Sequence, residues 1–279
     1  MPRRDWDVVA PPDLRRAVAG RLGAVVTAAS RVGGGDVAEA YRFDLADDRT
    51  VFVKTHRSPP PGFFTTEAAG LSWLRAAGTV AVPEVLATSD GDASGPPLLV
   101  LAWIDVTRRG PQAGTEERFG RQLARLHRSG ADVFGRSDRR TTGSRRLPNE
   151  PCDTWVEFYA TQRLLPLVRL ARDARTLDDR DLRRLEGVAG RLDQFGGSDE
   201  PAARLHGDLW AGTRLIDAAG TSWLVDPAAH GGHREFDLAM MRLFGGFGDE
   251  CFAAYADEFP LVGGWHERVP LHQLAPLVV

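Results

Sequence analysis

The sequence has little lysine, asparagine and isoleucine. Of its 35 basic residues only Lys54 is a lysine, while asparagine occurs once and isoleucine twice. All three amino acids need A/T-rich codons, so we infer a GC-rich genome that places arginine wherever arginine serves. The single lysine therefore indicates a position where a compact charge on a flexible stem is needed.

Features of several protein classes are also missing. No apolar run reaches the ~18 residues that a membrane span needs, and no apolar stretch follows the basic start, so we expect neither a membrane partner nor a secretory signal. The two cysteines lie far apart and in no metal-ligand spacing, which is typical of reduced thiols in a cytoplasmic protein. A net charge of −3 argues against a nucleic-acid partner, because such proteins usually carry a basic surplus.

Hydrophobic patterning divides the 279 residues into two parts. Residues 1–104 contain most of the alternating, strand-like segments, and residues 105–279 contain mostly helical spacing. We therefore predict an α+β fold with a small, strand-rich N-terminal lobe and a larger, mostly helical C-terminal lobe. The predicted helices cover residues 13–23, 66–78, 116–130, 153–170, 178–195, 236–244 and 252–259.

The first part carries residue types that bind nucleotide phosphates. A turn of Gly33, Gly34 and Gly35 separates two predicted strands, and glycines let backbone N–H groups approach phosphates. Lys54 ends the next strand, where its charge would neutralise phosphate, and Glu67 on the following helix would hold it in place. Taken singly, these residues are more often a hairpin turn, a surface charge and a solvated helix residue.

Two aspartates in the second part complete the set. Asp208 lies in a His-Gly-Asp-Leu-Trp segment, and Asp226 precedes a proline. In phosphoryl transfer one carboxylate accepts the proton of the attacking hydroxyl, and a second binds the magnesium that bridges the phosphates. The shared order of these features, with the only lysine in the expected place, predicts an ATP-dependent kinase. His206 is expected to orient backbone and not to carry a proton.

The segments around both aspartates resemble the fructosamine (ketosamine) kinase family, which belongs to the aminoglycoside-phosphotransferase-like kinases. The resemblance runs over essentially the whole chain and implies a two-lobed protein-kinase-like fold. Residues 1–104 would form a nucleotide-binding lobe, built from an antiparallel sheet plus helix, and residues 105–279 a mostly helical catalytic and substrate-binding lobe. It also implies ATP- and Mg²⁺-dependent phosphorylation of the sugar 3-hydroxyl of a small-molecule or protein-bound ketosamine, a reaction that reverses glycation. The matching segments are residues 206–212, 226–228, 232–240, 243–247 and 264–265.

The resemblance implies roles for single residues on the nucleotide side. Asp208 would be the catalytic base, and Asp226 would bind the metal. Ala102, Trp103 and Ile104 would form the hinge that faces adenine.

The resemblance also implies substrate contacts for Trp210, Glu235, Asp237 and Trp265. Trp210 would be a stacking wall for the sugar, although a buried aromatic residue is the competing interpretation. Glu235 and Asp237 are also explained as acids at a helix N-terminus.

One position departs from the family's pattern. Thr213 stands five residues after Asp208, where these kinases carry an asparagine that binds magnesium. A threonine hydroxyl is expected to serve as the metal ligand, on a shorter stem and with a bridging water. The substitution keeps open a nucleotide-binding pseudokinase, and a kinase for another hydroxylated amine, such as an aminoglycoside or choline, is a further alternative.

Other chemistry is not expected from this sequence. His230 and His233 lie in a glycine-rich segment without a third soft ligand, which argues against a transition-metal site. No Gly-x-Ser-x-Gly or His-Glu-x-x-His motif occurs, so hydrolase chemistry lacks a nucleophile or a metal. We expect a monomer or a weak homodimer.

Overall fold

The computed structural model describes residues 10–33, 38–93, 95–107, 112–139, 147–197 and 199–278. These residues form two compact units. The first unit comprises the described residues up to Ser72 together with Val82–Asp105, and the second comprises Trp73–Ala81 and the described residues from Val106 onward. No helix in the described ranges is long and apolar enough to cross a membrane.

A five-stranded antiparallel sheet forms the body of the first unit. Its core face, which includes Val51 and Val53, packs with Leu14 and Val18 of α1 (Pro12–Leu22). Because side chains alternate along a strand, the next residue, Lys54, points to the opposite face. The strands are β1 (Val26–Val32), β2 (Glu39–Leu45), β3 (Thr50–Thr55), β4 (Val85–Ser89) and β5 (Leu98–Ala102), paired in the order β1-β2-β3-β5-β4.

Helix α2 (Phe63–Arg75) begins three residues before its predicted start. The carboxylate of Asp90 accepts hydrogen bonds from the backbone N–H groups of Phe64 (3.0 Å) and Thr65 (3.2 Å) and from the Thr65 hydroxyl (2.6 Å). Asp90 therefore satisfies donors that the first turn of a helix leaves unpaired. A cap supplied from 25 residues away has no signal in the local sequence.

Helices make up most of the second unit. Two of them, Thr115–Arg128 and Asp249–Glu258, approach closely at Gly120, where an added Cβ would lie 2.1 Å from the carbonyl oxygen of Cys251. The helices are α3 (Thr115–Arg128), α4 (Trp155–Phe158), α5 (Leu165–Ala174), α6 (Asp179–Ala189), α7 (Glu235–Phe244), α8 (Asp249–Glu258) and α9 (Trp265–Val278). Two short antiparallel pairs accompany them: β6 (Ala203–Leu205) with β9 (His230–Gly232), and β7 (Arg214–Ile216) with β8 (Ser222–Leu224).

The helix predicted over residues 153–170 is interrupted. A π-helical turn, Tyr159–Leu164, separates α4 from α5. Pro166 has no N–H to donate to the carbonyl of Gln162, and the guanidinium of Arg163 donates to that carbonyl instead (2.9 Å). The guanidinium also donates to the carbonyl of Pro148 (2.7 Å) and to the side chain of Asn149 (2.8 Å), which hold it in place.

Two further differences lie in helix ends. Helix α6 stops at Ala189, whereas the predicted helix extends to residue 195. The last four residues of the predicted helix, Leu192–Phe195, form a separate 3₁₀ turn. The sequence pattern does not predict α9 because Pro270 and Pro276 lie inside it, and proline disfavours a helix interior.

Candidate active site

An ion pair between Lys54 and Glu67 lies in the first unit. Lys54 is on the central strand β3, where it pairs with Ala40 of β2 and Leu99 of β5. Its Nζ atom lies 2.8 Å from Oε1 of Glu67 on α2, and the two side chains are only 13% and 12% exposed. Sheet and helix thus bring together the lysine and the glutamate that the sequence pairs, and partial burial strengthens their attraction.

The predicted glycine turn follows β1. Gly33 lies directly after this strand, and an added Cβ there would meet no atom within 4 Å. Gly34 and Gly35 lie outside the described residues.

The predicted hinge lies at the end of β5. Ala102 is the last residue of the strand, and Trp103 and Ile104 follow it, both partly buried. The indole N–H of Trp103 donates to the carboxylate of Asp105 (2.9 Å), and the guanidinium of Arg42 lies 5.2 Å from the centre of its ring. These two contacts fix the orientation of the Trp103 ring.

Asp208 lies in the loop after β6. The side chain of Asp237, on α7, holds the backbone of this loop. The buried carboxylate of Asp237 accepts hydrogen bonds from the N–H groups of His206 (2.8 Å) and Gly207 (2.9 Å). Gly207 has a φ of 81°, and an added Cβ would lie 2.2 Å from the carbonyl oxygen of Ala228. Only glycine fits this position, and α7 therefore sets the path of the loop that carries Asp208.

His206 connects the loop of Asp208 to the segment of Asp226. Its Nδ1 atom accepts a hydrogen bond from the N–H of Asp208 (3.3 Å), so the neutral ring carries its proton on Nε2, which donates to the carbonyl of Val225 (2.9 Å). Val225 immediately precedes Asp226. His206 thus orients backbone on both sides, the role that the sequence predicts.

The charges around this loop favour a proton-accepting carboxylate at Asp208 and a bound cation beside it. Burial raises the pKa of Asp208 above its usual range, and the carboxylates of Asp237 and Asp226 raise it further against an opposing effect of His206. Asp226 is exposed and has a φ of 55°, a left-handed conformation that costs a residue other than glycine about 1–3 kcal/mol. Carboxylate oxygens are ligands that Mg²⁺ prefers, and a cation would relieve the repulsion between Asp208 and Asp226. The residues present therefore fit magnesium.

Thr213 braces the same loop. Its buried hydroxyl donates to the carbonyl of Asp208 (2.9 Å) and accepts from the N–H of Trp210 (3.1 Å). A hydroxyl has one hydrogen and two lone pairs, so one lone pair stays available for a metal or a water. The sequence does not predict this bracing role, because it depends on the turn that the backbone makes between Asp208 and Thr213.

The two tryptophans predicted at the substrate lie in different surroundings. Trp210 follows Asp208 by two residues, and its side chain is 40% exposed, which excludes a buried structural aromatic. Trp265 begins α9 and is partly buried, with the guanidinium of Arg242 5.0 Å from the centre of its ring.

Glu235 and Asp237 do not face a substrate, which corrects the prediction for both. Neither side chain has exposed surface. Glu235 accepts hydrogen bonds from Nε (2.9 Å) and Nη2 (2.6 Å) of Arg268, and Asp237 also receives the Nε2–H of His127 (3.2 Å). Residues 235–241 are all buried. Glu235 and Asp237 therefore tie the buried first turn of α7 to its neighbours, whereas the sequence shows only that they are acids at a helix N-terminus.

The buried cluster of His233, Glu235 and His272 has metal-ligand chemistry, with donor atoms within 4.8 Å of one another. Arg268 already occupies both oxygens of Glu235, and Nε2–H of His233 donates to the carbonyl of Gly197 (2.7 Å). A cation is therefore already paired with the only carboxylate, and the cluster is an internal ion-pair network.

Comparison with known proteins decides the family. A sequence profile described as fructosamine kinase matches residues 15–278. The chain belongs to the fructosamine kinase family. The kinase-like fold and the family resemblance that the sequence predicts are thereby confirmed.

Relatives of this family member cover nearly its whole length. A probable ketoamine kinase of Enterococcus faecium is 34% identical, over 86% of this chain and 84% of the relative, and the ketosamine-3-kinase of Mus musculus is 30% identical, over 89% and 87%. The crystal structure of a putative fructosamine-3-kinase from Thermobifida fusca has a TM-score of 0.87 at 40% identity, covering 96% of this chain and 92% of that one. A spectinomycin phosphotransferase shares the fold alone, with a TM-score of 0.61 at 12% identity, over 98% of this chain and 86% of the other.

Proposed function

We propose that this fructosamine kinase family member is an enzyme that uses ATP to phosphorylate the sugar 3-hydroxyl of ketosamines, such as fructosamines and ribulosamines. One observation carries the proposal: Asp208 lies in a loop whose backbone is fixed by Asp237 and His206, with the carboxylate of Asp226 close enough to raise its pKa. This arrangement provides a positioned base beside a cation ligand, as phosphoryl transfer to a hydroxyl requires.

Asp208 supplies the base in this proposal. Its carboxylate accepts the proton of the 3-hydroxyl while that oxygen bonds to the γ-phosphorus, and the bond between this phosphorus and the bridging oxygen of ADP breaks. The raised pKa makes the ionised carboxylate a stronger proton acceptor. Asp237, His206 and Thr213 keep it aimed through the backbone of its loop.

Lys54 and Asp226 serve the nucleotide. Lys54, held by Glu67, contacts phosphate oxygens. Asp226 holds magnesium, and the hydroxyl of Thr213 is a second, weaker ligand. The bound metal neutralises charge that develops on the phosphates. The glycine turn at Gly33 covers the phosphates, and residues 102–104 face adenine.

A nucleotide-binding pseudokinase is the second candidate, and Thr213 is the observation that favours it. Its hydroxyl already makes two hydrogen bonds within the loop, which leaves one lone pair where the family's asparagine offers a carbonyl oxygen to the metal. In that case the protein would bind ATP without phosphorylating a ketosamine.

The experiment that separates these candidates is ADP release from ATP and magnesium. Fructosyl-lysine and ribulosyl-lysine are compared with an aminoglycoside and with choline as acceptors, and Asp208→Asn is the negative control. We expect turnover with the two ketosamines only. Faster turnover with an aminoglycoside or choline would move the enzyme to another substrate class, and ATP binding without turnover on any acceptor would identify a pseudokinase.

A further inference from the structure

Arginine side chains cover many of the aromatic rings of this protein. Within the described ranges, guanidinium groups lie 3.8–5.2 Å from the centres of eight rings, whereas no arginine or lysine there lies over Trp210 or Phe244. No guanidinium of a described arginine therefore occupies the faces of these two rings. The covered rings are Trp73, Trp103, Phe119, Phe158, Phe247, Phe252, Phe259 and Trp265.

Trp210 and Phe244 form an exposed aromatic wedge. Their ring centres are 6.0 Å apart and their planes are inclined by 55°. The side chains are 40% and 55% exposed, although burial of both rings would be favourable in a structural role. Two inclined faces at this spacing allow one small group to touch both rings.

Glycines shape the packing beneath the wedge. The six-membered ring of Trp210 lies over Gly212, where an added Cβ would be 2.3–2.7 Å from three of its ring carbons. Gly246, with a φ of 88°, packs against Ala211, and a Cβ there would lie 2.4 Å from the Ala211 Cβ. A side chain at Gly212 would displace the Trp210 ring, and one at Gly246 would push this residue away from Ala211.

The loop after Phe244 is also anchored from below. Phe247 stacks on Phe119 with ring centres 5.8 Å apart. Glu116 accepts hydrogen bonds from two nitrogens of Arg214 (2.7 and 3.1 Å) and from the N–H of Gly248 (3.1 Å). Arg214 directly follows Thr213, so one carboxylate ties the loop of Asp208 to the loop after Phe244.

We propose that the wedge of Trp210 and Phe244 binds the secondary ammonium of the ketosamine, and this proposal rests on the proposed function. Trp210 follows Asp208 by two residues, at most about 7 Å of chain. In a ketosamine the amine lies only a few bonds from the 3-hydroxyl, so a hydroxyl at Asp208 places the ammonium within reach of these rings. Aromatic faces attract cations, and the carboxylate of Asp208 adds to the negative field. Phe244 is thus a specificity-determining residue for amine-bearing substrates.

The test compares two acceptors that differ only in charge. One is a 1-alkylamino-1-deoxyfructose, which carries the ammonium, and the other is the 1-O-alkyl fructose of the same chain length, in which a neutral ether oxygen replaces the nitrogen. The variants are Phe244→Leu, which keeps an apolar side chain without the ring, and Phe244→Trp, which restores a ring. Phe195→Leu is the matched control, because Phe195 is 41% exposed elsewhere in the same unit. KM and kcat are measured for both acceptors, and their Kd is measured by calorimetry without ATP.

We expect Phe244→Leu to raise KM and Kd of the charged acceptor about 3- to 30-fold, as loss of one cation–π contact implies, with kcat nearly unchanged. By the same reasoning, KM and Kd of the neutral acceptor should change less than about 2-fold in Phe244→Leu. Phe244→Trp should restore KM and Kd of the charged acceptor. Phe195→Leu should match the wild type for both acceptors. Equal loss for both acceptors would show a plain apolar wall, and no loss for either would remove Phe244 from the site; both results overturn the proposal while leaving the kinase function intact. If the wild type neither binds nor phosphorylates the charged acceptor, the proposed function fails and this proposal fails with it.

Discussion

Lys54 shows how the scarcity of one residue type points to a site. Every other basic residue of the sequence is an arginine, and the single lysine lies on the central strand of the sheet with its Nζ atom 2.8 Å from Glu67. A planar guanidinium at this place would direct its donors differently and would need more space than an ammonium. The identity of the residue, and not only its charge, is therefore expected to matter.

Lys54→Arg should lower turnover by roughly 10²-fold, the scale on which a misplacement of about 1 Å acts on catalysis. The protein should stay folded, with a loss in the free energy of unfolding of at most about 3 kcal/mol, the upper end of the usual range for one substitution. The reverse exchange Arg16→Lys, at an exposed position of α1, is the control and should change neither quantity. Wild-type turnover in Lys54→Arg would contradict the phosphate-binding role.

Thr213 poses a different question at the same scale, namely how many oxygens the loop offers to magnesium. An asparagine has an N–H₂ group that can keep the bond to the carbonyl of Asp208 and a carbonyl oxygen that can reach the metal.

Thr213→Asn should lower the magnesium concentration needed for half-maximal rate and raise turnover, because Mg²⁺ gains a ligand at its required ~2.0–2.1 Å. A titration of rate against magnesium measures both effects. Thr176→Asn, the same exchange at an exposed position, should leave the titration unchanged. Identical curves for Thr213→Asn and the wild type would show that threonine already suffices.

Helix α7 acts on the catalytic loop through a single carboxylate. Asp237 accepts hydrogen bonds from two backbone N–H groups of the loop and from His127 of α3, whose Nδ1 lies 2.8 Å from the hydroxyl of Tyr255 of α8. Burial opposes its ionisation, but these donors hold the pKa of Asp237 below its usual range. Three helices thus meet at the base of the loop that carries Asp208.

Asp237→Asn should lower the free energy of unfolding by about 1–3 kcal/mol, the cost of leaving buried donors unsatisfied, because an amide N–H₂ would then face donors in place of an acceptor oxygen. Chemical denaturation measures the change. Asp249→Asn, in the exposed first turn of α8, should stay within about ±0.5 kcal/mol. A loss as small as that of the control would show that Asp237 does not hold the loop.

The elements of this fold differ in how well the sequence predicts them. Strands β2 and β3 and helix α3 follow from alternation or amphipathic spacing over their own residues. The start of α2 depends on Asp90, far along the chain, and α9 contains two prolines, so neither has a clear local signal. The motif residues Asp208 and Asp226 can be found from sequence, whereas the bracing by Thr213 and the burial of Glu235 depend on tertiary structure.

At the scale of the whole molecule, buried histidines link stability to pH. Burial lowers the pKa of His230 to about 3 and that of His233 to about 4, from an ordinary 6.5. As pH falls below 6.5 the unfolded chain binds protons that the folded protein does not, so stability decreases toward the folded pKa values. The pKa of Glu235 is about 2, below its ordinary 4.5. Stability therefore falls further as the pH decreases from 4.5 to about 2.

The free energy of unfolding should therefore fall between pH 7.5 and pH 5, with each of these two histidines contributing about 2 kcal/mol. His233→Gln, which keeps a donor for the carbonyl of Gly197, should remove about 2 kcal/mol of this fall. His266→Gln, at an exposed position, should retain it. Parallel pH curves for His233→Gln and the wild type would show that His233 is not the titrating group.

The central claim concerns one hydroxyl and one base, and the product tests it most directly. Fructosyl-lysine is treated with ATP, magnesium and the wild-type protein, and two-dimensional proton–phosphorus NMR identifies the phosphorylated carbon. We predict phosphate on the 3-hydroxyl, formed ~10²–10⁴-fold more slowly by Asp208→Asn, the usual loss for a positioned general base. Phosphate on another hydroxyl, or an Asp208→Asn protein as fast as the wild type, would contradict the account.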